Sequence, residues 1–145
     1  MSSHVYHEIF LHFNWHTKVD TPLLRGEVEA FSHQAIKTKC QSIRGVHLLG
    51  IGGTDTHIHL AIVIEPHVTI SELVQEAKGF SSFEVNRRTG RKVLEWQRGY
   101  GVVSFGKAHL DWVLKYVANQ REHHRNRTIE PRLEAYNLPD EPQAG

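Results

Sequence analysis

Cysteine, net charge and long apolar runs are all scarce in this chain. Cys40 is the only cysteine among 145 residues, which excludes an internal disulfide framework and favours a reducing compartment. No apolar run approaches the ~18 residues of a membrane-spanning helix, and the first residues, MSSHVYHEIF, lack the basic and apolar regions of a signal peptide. The formal net charge is +1, so binding to nucleic acid would depend on local basic patches. We therefore expect one soluble, cytoplasmic domain without membrane contact.

Histidine, in contrast, is abundant. The chain has 12 histidines, and His57 and His59 stand one residue apart at the head of the apolar run HIHLAIVI. Random placement alone would produce roughly one such His-x-His pair. In a strand, residues i and i+2 project from the same face about 7 Å apart, so the pair could form half of a metal site that needs a third ligand. The alternative is a pair of half-exposed histidines that are solvated or hydrogen-bonded.

Periodic apolar residues predict the element order β-α-β-β-α-β-α. Thr21 is expected to cap the first helix, with Pro22 in its first turn, and Thr69 with Glu72 matches a capping box at the second helix. The first six elements form a split βαβ, which predicts an α+β fold: a ferredoxin-like antiparallel sheet with helices packed on it, plus a C-terminal helix. Many unrelated functions use this fold, so it says little about activity. The predicted strands are 5–15, 45–53, 56–66 and 99–105, and the predicted helices are 21–40, 69–88 and 107–124.

The last predicted helix carries a tyrosine and a glutamine that bear on the histidine pair. Tyr116 lies roughly 110° around the helix axis from the apolar stripe, and Gln120 follows one turn later on the same flank. That flank borders the core, where a side chain can reach the edge of the sheet. The alternatives are a boundary tyrosine and a solvated surface amide. Taken together with the histidine pair, the combination is more specific than either part.

Four segments follow one another along the chain: GIGGTDTHIHLAIVI, ISELVQEAKGFSS, EWQRGYGVVSF and LKYVANQREHH. In this order they resemble the single-tyrosine (Y1) HUH transposases of bacterial insertion sequences, including the transposases associated with REP sequences. The resemblance implies that His57, His59 and Gln120 are metal ligands and that Tyr116 is the nucleophile. One departure is Thr56, where many relatives have Asp or Asn, but that position is not a ligand.

The resemblance also implies an activity. The expected enzyme uses Mg²⁺ or Mn²⁺ to nick single-stranded or hairpin DNA through a 5′-phosphotyrosine and rejoins strands in DNA transposition. Tyrosine, with an ordinary pKa near 10, needs such an activated target or the loss of its proton. A homodimer is expected by resemblance alone. Two other hypotheses stay open: the protein could be a domesticated hairpin-DNA-binding protein that no longer transposes, or a metal-dependent phosphoesterase without a covalent step.

Basic residues and the C-terminal segment complete the sequence-based expectations. Six basic residues are candidate phosphate contacts, with a solvated surface as the alternative: Arg87, Arg88, Arg91, Lys92, Arg121 and Arg125. Three aromatic residues could stack on bases or belong to the core: Trp15, Trp96 and Tyr100.

The transposase domain is expected to span 1–128. A polar, proline-containing tail, 129–145, is expected to be extended, partly disordered or an arm to a partner.

Overall fold

A computed structural model describes residues 4–136, and four strands and five α-helices build this part of the chain. The strands are β1 (Phe10–His16), β2 (Val46–Gly53), β3 (His57–Ile64) and β4 (Gly101–Phe105). The helices are α1 (Gly26–Ser42), α2 (Ile70–Thr89), α3 (Leu110–Ala118), α4 (Gln120–Asn126) and the single turn α5 (Pro131–Glu134). No helix within residues 4–136 is long and apolar enough to cross a membrane.

The sheet has the strand order β2-β3-β1-β4, and all neighbouring strands are antiparallel. This order, with α1 between β1 and β2 and α2 between β3 and β4, is the split βαβ arrangement. The predicted α+β, ferredoxin-like fold is therefore confirmed. β1 and β3 are the two central strands, and their pairing sets Asn14 opposite His59 and His16 opposite His57.

The two faces of the sheet differ in chemistry because side chains alternate along each strand. Leu11, Phe13 and Trp15 of β1 are buried in the main core, together with Ile58 and Leu60 of β3 and apolar residues of α1 and α2. The other face of the same two strands is polar and nearly as buried. It presents His12, Asn14, His16, His57 and His59, and α3, α4 and α5 lie on this side of the sheet.

Several predicted boundaries are wrong near the N-terminus. β1 begins at Phe10 instead of residue 5, and α1 begins at Gly26 instead of following Thr21 and Pro22. The intervening segment forms a 3-10 turn, and the backbone N–H of Leu24 donates to the carbonyl oxygen of Asp55 at 2.9 Å. This contact with the loop before β3 keeps the backbone out of a helix until Gly26. The capping box is also wrong, because Thr69 precedes α2 without making a side-chain cap hydrogen bond.

The last predicted helix is broken at Asn119. Its backbone leaves the helical region at φ −111° and ψ 31°, so α3 ends at Ala118 and α4 starts at Gln120. The Asn119 side chain and its backbone N–H both donate to the Lys115 carbonyl oxygen, at 2.9 Å and 3.1 Å. The break turns Gln120 into the protein, where its side chain is buried.

Residues 130–136 fold back onto the polar face of the sheet. The Asn14 amide donates to the carbonyl oxygens of Leu133 at 3.1 Å and Ala135 at 2.9 Å, and the Leu133 side chain is buried. Gly101 permits this close approach, since a Cβ there would stand 1.8 Å from the Ala135 carbonyl oxygen. The expectation of an extended or disordered tail is therefore wrong for Pro131–Glu134, and an arm to a partner stays a prediction. Residues 137–145 lie outside the described part, and the division at residue 128 stays a prediction.

Candidate active site

The two histidines of the His-x-His pair project side by side from the polar face of β3. His57 is 3% exposed and His59 is fully buried, so the expectation of half-exposed, solvated histidines is wrong, whereas both rings do have hydrogen-bond contacts. The loop before β3 holds the first ring: the hydroxyl oxygens of Thr54 and Thr56 both lie 3.0 Å from His57 Nδ1. Because Nδ1 is engaged in this way, Nε2 is the atom that His57 offers to a ligand.

Two further side chains complete a cluster that can hold a metal ion. One ligand atom from each of His57, His59, His124 and Glu134 lies within 4.8 Å of the others, and Glu134 Oε1 is 3.3 Å from the Nε2 atom of all three histidines. Ligand atoms around a tetrahedral ion with bonds of about 2.1 Å are roughly 3.4 Å apart. Among the described residues His59 Nε2 has no hydrogen-bond partner, so its lone pair is available. The four residues therefore fit a divalent metal.

The pKa values of the residues in this cluster also favour metal binding. Burial lowers the pKa of His59 to about 4 and also lowers the pKa of His124. Burial by itself would raise the pKa of Glu134, but the close contacts with the imidazoles of His57 and His59 outweigh it and hold that pKa far below its ordinary value. The lowered pKa values favour neutral imidazoles at His59 and His124 beside the Glu134 carboxylate, and these are the forms that bind a metal ion.

Tyr116 of α3 lies directly beside this cluster in the same chain. Its ring centroid is 5.9 Å from that of His59, and its hydroxyl donates to the Glu134 carboxylate and accepts from the Glu130 backbone N–H at 2.9 Å. Tyr116 is 1% exposed, and burial together with the hydrogen bond to Glu134 raises the pKa of its hydroxyl. A phosphate that reaches this oxygen must replace one of the two partners.

Gln120 lies at the edge of the cluster. Its Oε1 is 3.2 Å from His124 Nε2, and its Nε2 donates to the Tyr116 carbonyl oxygen at 3.0 Å. The structure thus brings the four predicted site residues together, but His124 and Glu134 surround the cluster centre more closely. The role of Gln120 as a ligand stays a prediction.

His124 and Glu134 were not predicted from the sequence, for different reasons. His124 repeats the spacing of four that joins Tyr116 to Gln120, so the pattern Tyr-x₃-Gln-x₃-His was a usable signal for a third residue on that flank. Glu134 gave no such signal. It reaches the cluster only because Asn14 and Gly101 receive the returning backbone of residues 133–135, which is tertiary information.

Comparison with known proteins identifies the family. The family model described as "Transposase IS200 like" matches residues 5–120, most of the chain, including β3 and the α3 tyrosine. The chain belongs to the IS200-like transposase family. The membership expected from the four sequence segments is therefore confirmed, and with it the assignment to transposases, which are DNA-cleaving enzymes. No curated protein sequence matches this transposase.

Two solved structures resemble the fold of this transposase. One is described as a candidate transposase from Deinococcus radiodurans R1, with a TM-score of 0.66 and 18% sequence identity over 83% of this chain and 96% of that one. The other is a REP-associated tyrosine transposase bound to a REP hairpin, with a TM-score of 0.60 and 14% identity over 100% of this chain and 97% of that one. At these identities the likeness establishes the shared fold.

The basic residues predicted to contact DNA differ in their surroundings: some have partners within the helix layer, and others are exposed. Arg87 pairs with Glu84 on α2, and the Arg88 guanidinium lies over the Phe31 ring of α1, so both belong to the helix layer opposite the histidines. Arg91, Lys92 and Arg125 are exposed. None of these positions is tested as a DNA contact, and all of them stay predictions.

Arg121 has a well-defined partner set within the protein. Its guanidinium donates to Asp55, to Glu29 at 2.7 Å and to the Leu24 carbonyl oxygen at 3.0 Å. Asp55 lies between the two threonines that hold His57, so the contact joins α4 to the loop before β3. The hydrogen bond from Arg121 lowers the pKa of Asp55. The contacts of Arg121 are thus those of a residue that fixes α4 against the site.

The aromatic residues that the sequence analysis considered for base stacking are core or partly core residues. Trp15 is buried, Trp96 packs edge-on against it and donates to the Ser81 hydroxyl at 2.9 Å, and Tyr100 packs at the core margin. Trp112, which was not among the predicted stacking residues, is 51% exposed and stacks on the ring of Tyr116 with centroids 5.3 Å apart. It is the tryptophan with an open face next to the site.

Proposed function

We propose that this transposase is a metal-dependent, single-strand DNA nickase and strand transferase that uses Tyr116 as its nucleophile. The observation that carries the proposal is the Glu134 carboxylate. One of its oxygens lies 3.3 Å from the Nε2 atom of each of the three histidines, and the other accepts the hydrogen bond of the Tyr116 hydroxyl. A tyrosine and a metal-binding cluster that share one carboxylate can act on the same phosphodiester.

The proposed chemistry follows from the atoms in place. The Tyr116 oxygen attacks the phosphorus in line with the leaving 3′-oxygen, and as the new P–O bond forms the tyrosine proton leaves along its hydrogen bond to Glu134. The P–O3′ bond breaks, and the 3′-oxygen takes up a proton from solvent. The products are a free 3′-hydroxyl and a 5′-phosphotyrosine, which preserves the energy of the ester bond. A second 3′-hydroxyl can then attack the phosphotyrosine and rejoin the strands without ATP. The raised pKa of Tyr116 makes a positioned proton acceptor necessary.

His57, His59, His124 and Glu134 would hold the metal, with Gln120 beside them. A bound divalent ion would polarise a non-bridging phosphate oxygen and offset the negative charge that repels the nucleophile. Three imidazole nitrogens and one carboxylate oxygen suit Mn²⁺ better than Mg²⁺, which prefers oxygen donors. We therefore expect cleavage to be faster with Mn²⁺ than with Mg²⁺.

Hairpin DNA is the proposed substrate. The REP-associated relative is described as bound to a REP hairpin, and a single-stranded region beside a hairpin leaves its phosphates free for attack. A homodimer is part of the proposal by family resemblance, although the described contacts place Tyr116 beside the histidines of its own chain. Sedimentation of the protein with and without DNA would test the oligomeric state.

The experiment that tests the function is a covalent-adduct assay. The protein is incubated with labelled single-stranded hairpin DNA and Mn²⁺, and the adduct is detected on a denaturing gel. We expect an adduct with the wild type and none with Tyr116→Phe. Tyr136→Phe is the matched control, since Tyr136 also lies near the site, stacked on His16, but has no role in the proposal. Strong chelation and His57→Ala are each expected to abolish the adduct.

Different outcomes of this assay would favour the two alternative hypotheses about function or refute the metal site. A mobility shift without an adduct would favour a hairpin-binding protein that no longer transposes. Cleavage that survives Tyr116→Phe would refute the tyrosine mechanism and favour a phosphoesterase without a covalent step. Cleavage that survives both chelation and His57→Ala would refute the metal site.

A further inference from the structure

His12 is a buried residue to which the proposed chemistry assigns no task. It lies on the polar face of β1, is 1% exposed, and is opposite Ala61 of β3. Its Nε2 atom is 2.8 Å from His59 Nδ1, and the two ring centroids are 4.9 Å apart. An isolated buried imidazole is costly, so a residue of this kind in the sheet needs a partner. Here the partner is a proposed metal ligand.

The hydrogen bond between the two rings has a required direction if His59 binds metal. His59 faces the cluster through Nε2, which is 3.3 Å from Glu134 Oε1. A neutral histidine whose Nε2 is a ligand carries its proton on Nδ1. That proton can be donated only to an atom within hydrogen-bond distance, and His12 Nε2 is in that position. His12 then accepts through Nε2 and carries its own proton on Nδ1.

The other strand histidine has the same arrangement with a different partner. His57 Nδ1 lies 3.0 Å from the hydroxyl oxygens of Thr54 and Thr56. Both rings therefore have Nδ1 engaged and Nε2 directed at the cluster. The hydroxyls rotate and can donate or accept, whereas an imidazole offers a single lone pair in the plane of its ring. The partner of His59 thus specifies the proton position and the ring orientation more strictly.

We propose that His12 is a positioning residue that fixes the Nδ1–H tautomer and the orientation of His59, so that the ring presents Nε2 to the metal. The proposal rests on the proposed function, because it assigns the His12 contact a purpose only if the cluster binds metal. Outer partners of ligating histidines usually contribute about 10- to 100-fold in metal affinity.

The test compares His12→Leu with His12→Gln. Leucine removes the acceptor, whereas glutamine can place its side-chain oxygen near the position of Nε2 and accept the same proton. His47→Leu is the control for loss of a histidine, because His47 is an exposed residue of β2 that pairs with Glu65. Mn²⁺ binding to the full chain is measured from the free Mn²⁺ signal in electron paramagnetic resonance. The His59 tautomer is measured separately in metal-free protein by ¹H–¹⁵N correlation of the imidazole nitrogens.

We expect wild type and His47→Leu to bind Mn²⁺ alike, His12→Leu to bind about 10- to 100-fold more weakly, and His12→Gln to recover most of the affinity. In metal-free protein, the wild-type His59 should carry its proton on Nδ1, and His12→Leu should lose that preference. Unfolding by urea checks that each variant is folded. If His12→Leu is too unstable, His12→Gln and wild type still give the tautomer comparison.

The two proposals fail in different ways. If wild type and His57→Ala are equally unable to bind Mn²⁺, the metal site of the proposed function is wrong. If wild type binds Mn²⁺ and folded His12→Leu binds it equally well, the inference about His12 is wrong and the metal site stands. A wild-type His59 with its proton on Nε2 would also overturn the inference.

Discussion

Gly52→Ala is expected to displace α3, the helix that carries the proposed nucleophile Tyr116. A Cβ at Gly52 of β2 would stand 2.0 Å from the Val117 carbonyl oxygen and 3.0 Å from the Val117 carbonyl carbon, both of them backbone atoms of α3. Because the obstacle is backbone, α3 would have to move by about 1.4 Å to restore an ordinary contact of 3.4 Å. Tyr116 precedes Val117 in the chain and would move with it, and a misplacement of about 1 Å can cost about 100-fold in rate.

Two measurements test this expectation. Urea unfolding should show a loss of about 1–3 kcal/mol for Gly52→Ala, because the substitution overpacks a close contact between a strand and a helix. Adduct formation in a single turnover, measured where the variant is folded, should slow by about 100-fold.

The matched control for Gly52→Ala is Gly79→Ala in α2, where a Cβ has no atom within 4 Å. That variant should gain about 0.5–1 kcal/mol from the better helix propensity of alanine and keep the wild-type rate. A Gly52→Ala variant with wild-type stability and rate would refute the argument that this contact positions Tyr116.

Three other regions give separate tests. Cys40 is buried, which raises the pKa of its thiol to about 11, so iodoacetamide at pH 8 should label it slowly until the protein unfolds; rapid labelling of the native protein would contradict its placement. Trp112→Ala should weaken binding of single-stranded DNA by about 1–3 kcal/mol in a fluorescence-anisotropy titration, because it removes an exposed stacking surface beside Tyr116, and unchanged affinity would exclude base stacking there. Asn14→Ala removes both amide hydrogen bonds that hold the backbone of Leu133 and its neighbours, so the Leu133 amide should exchange faster with deuterium; unchanged exchange would show that other contacts hold this segment.

The order of the elements could be predicted because burial in this fold follows the periodicity of the sequence. Ile58, Leu60 and Ile62 alternate along β3 and all enter the core, and Leu73, Val74 and Ala77 enter it from α2. Such patterns report which face is buried, and that is enough to assign strands and helices. The start of α1 was not predictable in this way. It depends on the contact between Leu24 and Asp55, two residues that are distant in sequence.

The site could be predicted only in the part that local spacing encodes. His57 and His59 share a strand face, and Tyr116 and Gln120 share a helix flank, so each pair is visible as a short repeat. Local spacing does not show that the two pairs lie together in the folded protein, and that prediction depended on the family resemblance. The break at Asn119 was not expected, and it decides how Gln120 and His124 are directed. Glu134 depends on a chain reversal for which the sequence around it contains no repeat.

The polar face of the sheet is also visible in the sequence, as polar residues that alternate with the apolar ones along β1. In the segment LHFNWH, the apolar Leu11, Phe13 and Trp15 predict β1, but the residues between them are polar and are just as regularly spaced. A solvated face would explain such residues, yet His12 and Asn14 are each 1% exposed. Burying polar side chains in a sheet costs stability unless each finds a partner, and apolar residues would stabilise the fold at lower cost. A strand that keeps one face polar and buried is therefore better explained by a functional site on that face than by the needs of folding. The contact between His12 and the proposed metal ligand His59 is one such use of a buried polar residue.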